Sequence, residues 1–435
     1  MLTTPFLTDI DPQAAVKGSR DPLGVQTIWA RLGRHVVGNL TTVTTSVRDF
    51  TTLILGYYFA ERVANEVEGG GDLAVFLRWE QLAAYARGEI NQDWKFRGVE
   101  RVKKNLQDGN RISLGAETTS QILSNQKTYG LWGLYTGAAR VSGLVEGAPT
   151  RLTQAGRDLV EGLYLPVFTK GGLQNADAVI SRLAKSRSLL DWKKADRRFL
   201  ETIADVLKQR LAAKEREVYR KHLLFGGPED STSGGQEILA AAMGSTFKEE
   251  GWTLTPPRVR HLAKKCRADG DAGRVVADAL ERIRTAELLL APAATLFSLV
   301  LASDGQSLAD ISRVVRRQWG SSVRTIDVEA TDLLESELRD STGDVATGRR
   351  WIQVARTLAS GDYERTFVLL LEQNHYVMKV RSSAAPWVEV SDGRLRVRFR
   401  DDDGDDLPSQ KDLPEYWRHS YFLDSMRAIA LALRT

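Results

Sequence analysis

The chain has 435 residues, of which 42% are hydrophobic and 27% charged, a composition typical of a folded protein with two or three domains rather than a disordered one. Its formal net charge is only +4, from 60 basic and 56 acidic residues, so overall charge does not by itself indicate a nucleic-acid partner. The single cysteine, Cys266, excludes an internal disulfide framework and a zinc cluster built from several cysteines.

The N-terminal region, residues 1–68, is predicted to be an extended arm followed by helices, because three prolines interrupt the first 23 residues before helical spacing begins. The segment 18–50 combines arginines, Trp29 and many threonines, a mixture that disfavours a simple surface helix. We expect this segment either to dock against a partner or another domain, or to pack within its own domain.

The start of the chain also bears on localisation. It lacks the basic residues and apolar core of a signal peptide, and the apolar run at 53–60 is far too short to cross a bilayer. These features predict a cytoplasmic protein without a membrane partner.

Residues 72–166 have the predicted element order helix, helix, strand, turn, strand, helix. A helix is expected over 129–142, and Thr153 is expected to cap the helix that follows the two strands. This order, carried by RVSGLVEGAPTRLTQAGRDLVE at 140–161, resembles the closing half of the winged-helix superfamily. The resemblance implies that the helix over 129–142 enters the major groove of DNA and that the two strands form the wing.

Basic side chains beside the predicted wing are the candidate DNA contacts. Residues 95–111 hold six Lys or Arg against two acids, and a second basic set near residue 260 has no acid among its members. Such side chains would neutralise phosphates, so that affinity falls as salt rises. The candidate nucleic-acid-binding residues are Lys95, Arg97, Arg101, Lys103, Lys104, Lys127, Arg140, Arg151, Arg258, Arg260, Lys264 and Lys265.

Two alternatives remain for these features. The basic side chains could be ordinary solvated helix faces. The face of 129–142 is poor in Arg, Lys, Asn and Gln and contains interior glycines, so the wing could instead contact a protein or be purely structural.

The second half of the chain is predicted to be helical. Residues 175–224 are read as a long helical connector, and the Gly-, Ser- and Pro-rich segment 225–235 as the linker at the main domain boundary. Residues 236–435 are predicted to form a helical bundle with a small β-hairpin over 387–399. Pro292 is expected to kink or split the apolar segment AELLLAPAATLFSLVLA at the centre of that bundle. The predicted fold class is therefore mainly α and multi-domain.

Complete catalytic motifs are absent from the sequence: it has no phosphate-binding Gly-Lys-Ser/Thr loop, no HExxH and no GxSxG. The five histidines are scattered, and neither a metal nor a cofactor is predicted. Asp327, Glu329 and Asp332 could hold the magnesium ion of a nuclease, but the lysine that often follows such acids is missing. The sequence therefore favours a protein that is not an enzyme.

As a whole, the chain resembles accessory proteins of bacterial anti-phage defence or restriction-type operons, in which a winged helix is fused to a helical domain. The resemblance implies a DNA-associated, non-catalytic adaptor or sensor subunit that engages double-stranded DNA and binds other protein subunits of a defence complex. A protein-interaction scaffold or homo-oligomer without nucleic acid is the first alternative. A metal-dependent nuclease is the second.

Overall fold

The computed structural model describes residues 21–64, 71–244, 252–381, 385–400, 404 and 406–434. The protein is 61% helical, which confirms the mainly α fold class. The α-helices of the described residues are α1 (Val25–Arg34), α2 (Val47–Ala64), α3 (Asp72–Tyr85), α4 (Val99–Asp108), α5 (Gln126–Tyr129), α6 (Leu131–Val141), α7 (Gln154–Leu159), α8 (Leu165–Lys170), α9 (Asp177–Leu183), α10 (Arg197–Val206), α11 (Ala213–Tyr219), α12 (Gly235–Gly244), α13 (Pro256–Cys266), α14 (Gly270–Ala302), α15 (Leu308–Trp319), α16 (Val328–Asp332), α17 (Val345–Ser360), α18 (Tyr363–Val380) and α19 (Leu423–Ala432).

Short strands and tighter or wider helical turns complete the described structure. Three antiparallel pairs are formed by β1 (Arg111–Gly115) with β4 (Arg187–Asp191), β2 (Val145–Glu146) with β3 (Arg151–Leu152), and β5 (Val388–Ser391) with β6 (Arg394–Val397). The π-helical turns are Ala86–Ile90, Val160–Tyr164 and Arg220–Leu224, and the 3-10 turns are Gln174–Ala176 and Leu413–Glu415.

The described residues divide into two compact units, each built from separate stretches of chain. The first contains the described residues of Met1–Leu32, Thr253–Ala263 and Asp278–His419. The second contains those of Gly33–Trp252, Lys264–Ala277 and Ser420–Thr435. The predicted boundary at 225–235 lies inside the second unit, so the chain does not divide into units at that segment.

Helix α2 lies at the core of the second unit, where it packs against α3, α6 and α9. All eight residues of its apolar run at 53–60 are buried. Gly56 allows the close approach of α3, since a Cβ there would lie 2.6 Å from the Phe76 ring. The Trp79 indole donates a hydrogen bond of 2.8 Å to the Thr52 carbonyl and fixes the register of the two helices. Burial on all sides explains why the run at 53–60 is apolar.

The described part of the segment 18–50 packs within the protein. In the first unit, the Arg31 guanidinium donates to the carbonyls of Glu337, Arg339 and Asp340 at 3.0–3.3 Å. In the second unit, the Asn39 amide donates to the His222 carbonyl at 2.7 Å. These bonds favour packing within the chain over docking on a partner. The residues before 21 lie outside the described residues.

The predicted helix, wing and cap are all present between residues 131 and 159. Helix α6 precedes β2 and β3, and Thr153 caps α7 by accepting a hydrogen bond of 3.2 Å from the Gly156 amide, which confirms the predicted cap. Strand β1 pairs with β4 and not with the wing strands. Membership of the winged-helix superfamily stays a prediction.

The prediction of a long helical connector over 175–224 is wrong. Strand β4 interrupts this segment, with Ser188 and Leu190 buried on its inner face, and α9, α10 and α11 are separate short helices. The pairing of Leu190 with Ile112 links positions far apart in sequence, and such pairing overrides local helical propensity.

The C-terminal half differs from expectation at Pro292 and agrees at the hairpin. Helix α14 runs through Pro292 as one helix, so it is not split there, and the other expected outcome, a kink, stays a prediction. This helix is the one described segment long and apolar enough to cross a membrane, yet 83% of its most apolar window is buried inside the protein, as in the core helix of a soluble protein. Strands β5 and β6 confirm the hairpin predicted over 387–399.

Candidate nucleic-acid interface

The wing is exposed and is tied to α6 by one of the predicted contacts. Residues 146–149 at its tip are exposed to solvent. The Arg140 guanidinium donates to the Thr150 hydroxyl at 3.1 Å and to the Gly147 carbonyl at 3.4 Å. The Thr153 hydroxyl also donates to the Gly143 carbonyl at 2.7 Å. The cation at the end of α6 therefore lies against the wing.

Four predicted cations lie on α4, on α5 or on the segment before α4. The Arg97 guanidinium donates to the Tyr129 carbonyl at 3.3 Å, and that of Arg101 donates to the Gln121 carbonyl at 2.8 Å. Lys104 and Lys127 are exposed, and neither ammonium has an ion-pair or hydrogen-bond partner among the residues that the structure describes. We call this set, Arg97, Arg101, Lys104, Lys127 and Tyr129, the α5 surface.

Tyr129 gives the α5 surface an aromatic group. Tyr129 is 47% exposed, so about half of its surface faces solvent. Exposed aromatic rings among cations are typical of surfaces that bind single-stranded nucleic acid, where a ring can stack on an unpaired base.

Two of the predicted contacts have partners within the protein, and a third lines a cavity. Arg151 forms an ion pair of 2.8 Å with Asp72. Lys103 lies 5.4 Å from the centre of the Trp94 ring and 3.9 Å from Glu100. Lys95 lines a cavity of the second unit and is treated with that cavity below. The contacts of Arg151 with Asp72 and of Lys103 with Trp94 were not visible in the sequence, since both depend on tertiary packing.

The outer face of α6 is nearly bare of side chains. Leu131, Tyr135 and Ala139 are buried, whereas Gly133, Gly137 and Arg140 are exposed on the opposite side. A Cβ at Gly137 would meet nothing within 4 Å. This face permits close approach of another backbone but offers a single cation for reading bases.

A buried polar network beneath α6 was missed by the sequence analysis. The Arg87 guanidinium pairs with Asp49 at 2.7 Å, and the Tyr135 hydroxyl donates to Asp49 at 2.8 Å. The Glu80 carboxylate accepts from the Leu131 amide at 2.7 Å, at the start of α6. These bonds tie α6 to α2 and α3. The signal that could have revealed the network was a pair of charged residues, Glu80 and Arg87, within an apolar stretch.

Burial changes the ionisation of this network. It raises the pKa of Glu80 to about 7, because removal from water outweighs the hydrogen bonds from Leu131 and Gln126. It also raises the pKa of Tyr135 well above its usual value, with the nearby Asp49 charge acting in the same direction. Both groups therefore serve the packing of α6 rather than the exposed surface.

The second basic set lies on α13. Arg260 and Lys264 are exposed, and the Arg258 guanidinium donates to the Thr253 carbonyl at 2.7 Å. Arg258 and Arg260 belong to the first unit, and Lys264 and Lys265 to the second. The predicted set is therefore divided between the two units.

The acidic residues proposed for a nuclease do not converge. Asp327 accepts from the Ala330 amide at 3.0 Å as the cap of α16. Asp332 pairs with Arg356 at 2.9 Å. Within the described ranges, no three His, Cys, Asp or Glu residues lie close enough to hold a metal ion.

Comparison with known proteins assigns no function to the chain, so a proposal of function depends on the geometric observations above. No protein-family model matches the chain, and neither a curated protein nor a solved structure is significantly similar to it.

Proposed function

We propose that the protein is a DNA-associated, non-catalytic adaptor or sensor subunit that holds duplex DNA by its phosphate backbone. The observation that carries this proposal is the α5 surface, where Lys127 and Tyr129 are exposed on α5 and the Arg97 guanidinium donates to the Tyr129 carbonyl. Arg97 and Arg101 are held in place by backbone carbonyls, while Lys104 and Lys127 extend into solvent. A guanidinium that uses part of its donor set on the protein retains other N–H groups for a phosphate.

The contact should be weakly specific for sequence. Direct reading of bases requires Arg, Asn, Gln or similar side chains on the helix that enters the groove. On its outer face, α6 offers only Arg140, which already contacts the wing. Contacts to phosphates position a protein on DNA without reporting sequence, so binding should depend mainly on salt concentration.

The same proposal includes the location and the partners of the protein. The adaptor would act in the bacterial cytoplasm, within an anti-phage defence or restriction-type complex whose other subunits carry any catalysis. The buried apolar window of α14 supports a soluble protein. The buried Cys266, whose pKa is raised to about 11 by burial, supports a thiol that packs rather than reacts.

Charge reversal at Lys104 and Lys127 tests the proposal. The Lys104→Glu/Lys127→Glu variant should lose most of its affinity for duplex DNA. The slope of log affinity against log salt should also shrink by about two, since each phosphate contact contributes about 0.9. Fluorescence anisotropy with a labelled duplex at several salt concentrations measures both quantities.

A matched control distinguishes the effect of the α5 surface from the effect of a change in net charge. Lys170 and Lys194 are exposed lysines of the same unit, so Lys170→Glu/Lys194→Glu makes the same change in net charge elsewhere. The affinity of this control for duplex DNA should fall only as far as the change in net charge lowers it. Its slope of log affinity against log salt should be unchanged. Equal slopes for the two double variants would overturn the proposal, provided that both melt at the wild-type temperature.

A protein-interaction scaffold is the second candidate, and the outer face of α6 is the observation that favours it. Gly137 is exposed there with nothing within 4 Å of its Cβ position, and such a small residue allows two helices to approach closely. On this alternative the face contacts a second copy or another subunit instead of DNA.

A further inference from the structure

A cavity of about 890 Å³ opens within the second unit, a size typical of small-molecule sites. Its wall includes Thr45, Ser46 and Arg48 from the start of α2, together with Lys95. The rest of the wall comes from the loop at 209–211 and from one side of α19. The wall contains polar groups together with apolar side chains, namely those of Val47, Leu211, Ala428 and Leu431.

One of the basic groups in the wall is structural. The Arg48 guanidinium forms an ion pair with the buried Glu215 and donates to the Lys208 and Arg210 carbonyls. Arg48 is itself 3% exposed. It therefore positions the loop that carries Arg210.

The remaining cations are available to a ligand. The side chains of Lys95 and Arg210 are exposed, and neither has a hydrogen-bond or ion-pair partner in the described part of the chain. Arg427 lies 4.7 Å from the centre of the Trp252 ring and donates to the Trp252 carbonyl at 3.1 Å. Its Nε is buried without a hydrogen-bond partner among the described residues. Such an under-coordinated guanidinium is costly unless an acceptor is supplied.

Two carboxylates also line the cavity, and only one of them offsets the positive charge of these cations. Asp93 is held by the Arg87 guanidinium at 2.9 Å and by the Lys95 amide at 3.1 Å. Asp424 is the other. The partly apolar cavity therefore has an excess of positive charge. Its three cations, from Lys95, Arg210 and Arg427, are offset by one carboxylate, that of Asp424.

We propose that this cavity binds a phosphate monoester or polyphosphate attached to an organic group, as in a free nucleotide or the phosphorylated 5′ end of a nucleic-acid strand. Guanidinium and ammonium groups are the side chains that best bind phosphate oxygens. The apolar side chains of the wall would contact the nucleoside. The site lies outside the α5 surface and goes beyond the proposed contact with duplex DNA.

Isothermal titration calorimetry on the full chain tests this site with ATP, inorganic pyrophosphate, adenosine, and a short single-stranded oligonucleotide carrying either a 5′-phosphate or a 5′-hydroxyl. We expect binding of the phosphorylated probes and none of adenosine. Tighter binding of ATP than of the 5′-phosphorylated strand identifies a free nucleotide as the ligand, and the reverse order identifies a strand end. Absence of binding by every phosphorylated probe overturns the proposal.

The variant Arg210→Glu should weaken binding of the preferred phosphorylated probe by at least about tenfold, which corresponds to about 1.4 kcal/mol. Its matched control is Arg198→Glu, an exposed arginine of the same unit outside the cavity, which should bind as the wild type does. Equal loss in the two variants overturns the proposal. Lys104→Glu/Lys127→Glu should retain the ligand, so failure of the duplex-binding proposal and failure of this one are distinguishable.

Discussion

Glu80 is a carboxyl that folding has removed from water, and its ionisation should appear in the stability of the protein. The folded-state pKa is about 7, against 4.5 for an ordinary glutamate. Between these values the folded state binds more protons than the unfolded state, so stability must fall as pH rises. The full contribution is present below pH 4.5 and is lost as pH rises through about 7.

The Glu80→Gln variant should therefore show a flatter dependence of unfolding free energy on pH. The shift corresponds to roughly 3 kcal/mol, at about 1.4 kcal/mol for each pKa unit. Urea denaturation between pH 5 and pH 8 measures the effect, and Glu100→Gln, at a side chain 91% exposed, is the control. Identical pH dependence in the wild type and Glu80→Gln would show that Glu80 does not titrate in this range.

The sequence predicted those residue roles that depend on neighbours along the chain. Thr153 could be identified as a cap because its partner lies three residues away. Arg151 was expected to contact DNA, but it pairs with Asp72, which is 79 residues away. Lys103 was likewise expected on DNA and lies over Trp94. Partners of this kind are set by how helices pack, and no local pattern encodes them.

Among the elements, α7 offers a direct test of local stability. Its cap, Thr153, both accepts from the Gly156 amide and donates to the Gly143 carbonyl, which joins the wing to the helix that follows it. Thr153→Ala should lower the free energy of unfolding by about 1 kcal/mol, the usual value for a lost cap. Thr153→Ser keeps the hydroxyl and should cost less than half as much. Urea denaturation that ranks the two variants equally would contradict this role.

The elements that were wrongly predicted share a physical cause. The segment around β4 has the composition of a helix, yet Arg187–Asp191 pairs with Arg111–Gly115 as a strand. In α14, Pro292 removes one backbone hydrogen bond, but the residues on both sides are buried and continue the helix. In both cases tertiary contacts outweigh the local preference, which is worth about 1 kcal/mol for a residue in the wrong element and about 3 kcal/mol for an internal proline.

At the scale of the whole molecule, the mass in solution separates the two candidate functions. A tryptophan at Gly137 fits the fold, because nothing lies within 4 Å of its Cβ position. If α6 faces DNA, Gly137→Trp should keep the wild-type mass and bind duplex about tenfold more weakly, a change of about 1.4 kcal/mol. Light scattering coupled to gel filtration gives the mass, and anisotropy gives the affinity.

The control for this change is Gly162→Trp, at another glycine with open space around its Cβ position. It should alter neither mass nor affinity. A fall in mass with Gly137→Trp, together with unchanged duplex binding, would instead favour the scaffold.

The mainly α class could be predicted from composition and periodicity, but the division into units could not. The segment 225–235 has the composition of a linker, yet it is packed: a Cβ at Gly227 would lie 2.7 Å from the Ser142 carbonyl oxygen. Gln236, which follows it, donates to Asn39 at 2.8 Å. Turn-forming residues mark a change of direction and do not reveal whether the turn is buried.

The interleaved course of the chain has a consequence for biosynthesis. The first unit extends to His419 and the second takes in α19, which packs against α12. Until the ribosome has added Ser420–Thr435, the second unit lacks a segment that belongs to it. The second unit therefore cannot reach its final form before α19 has been made, and its apolar surfaces must be kept from aggregating until then.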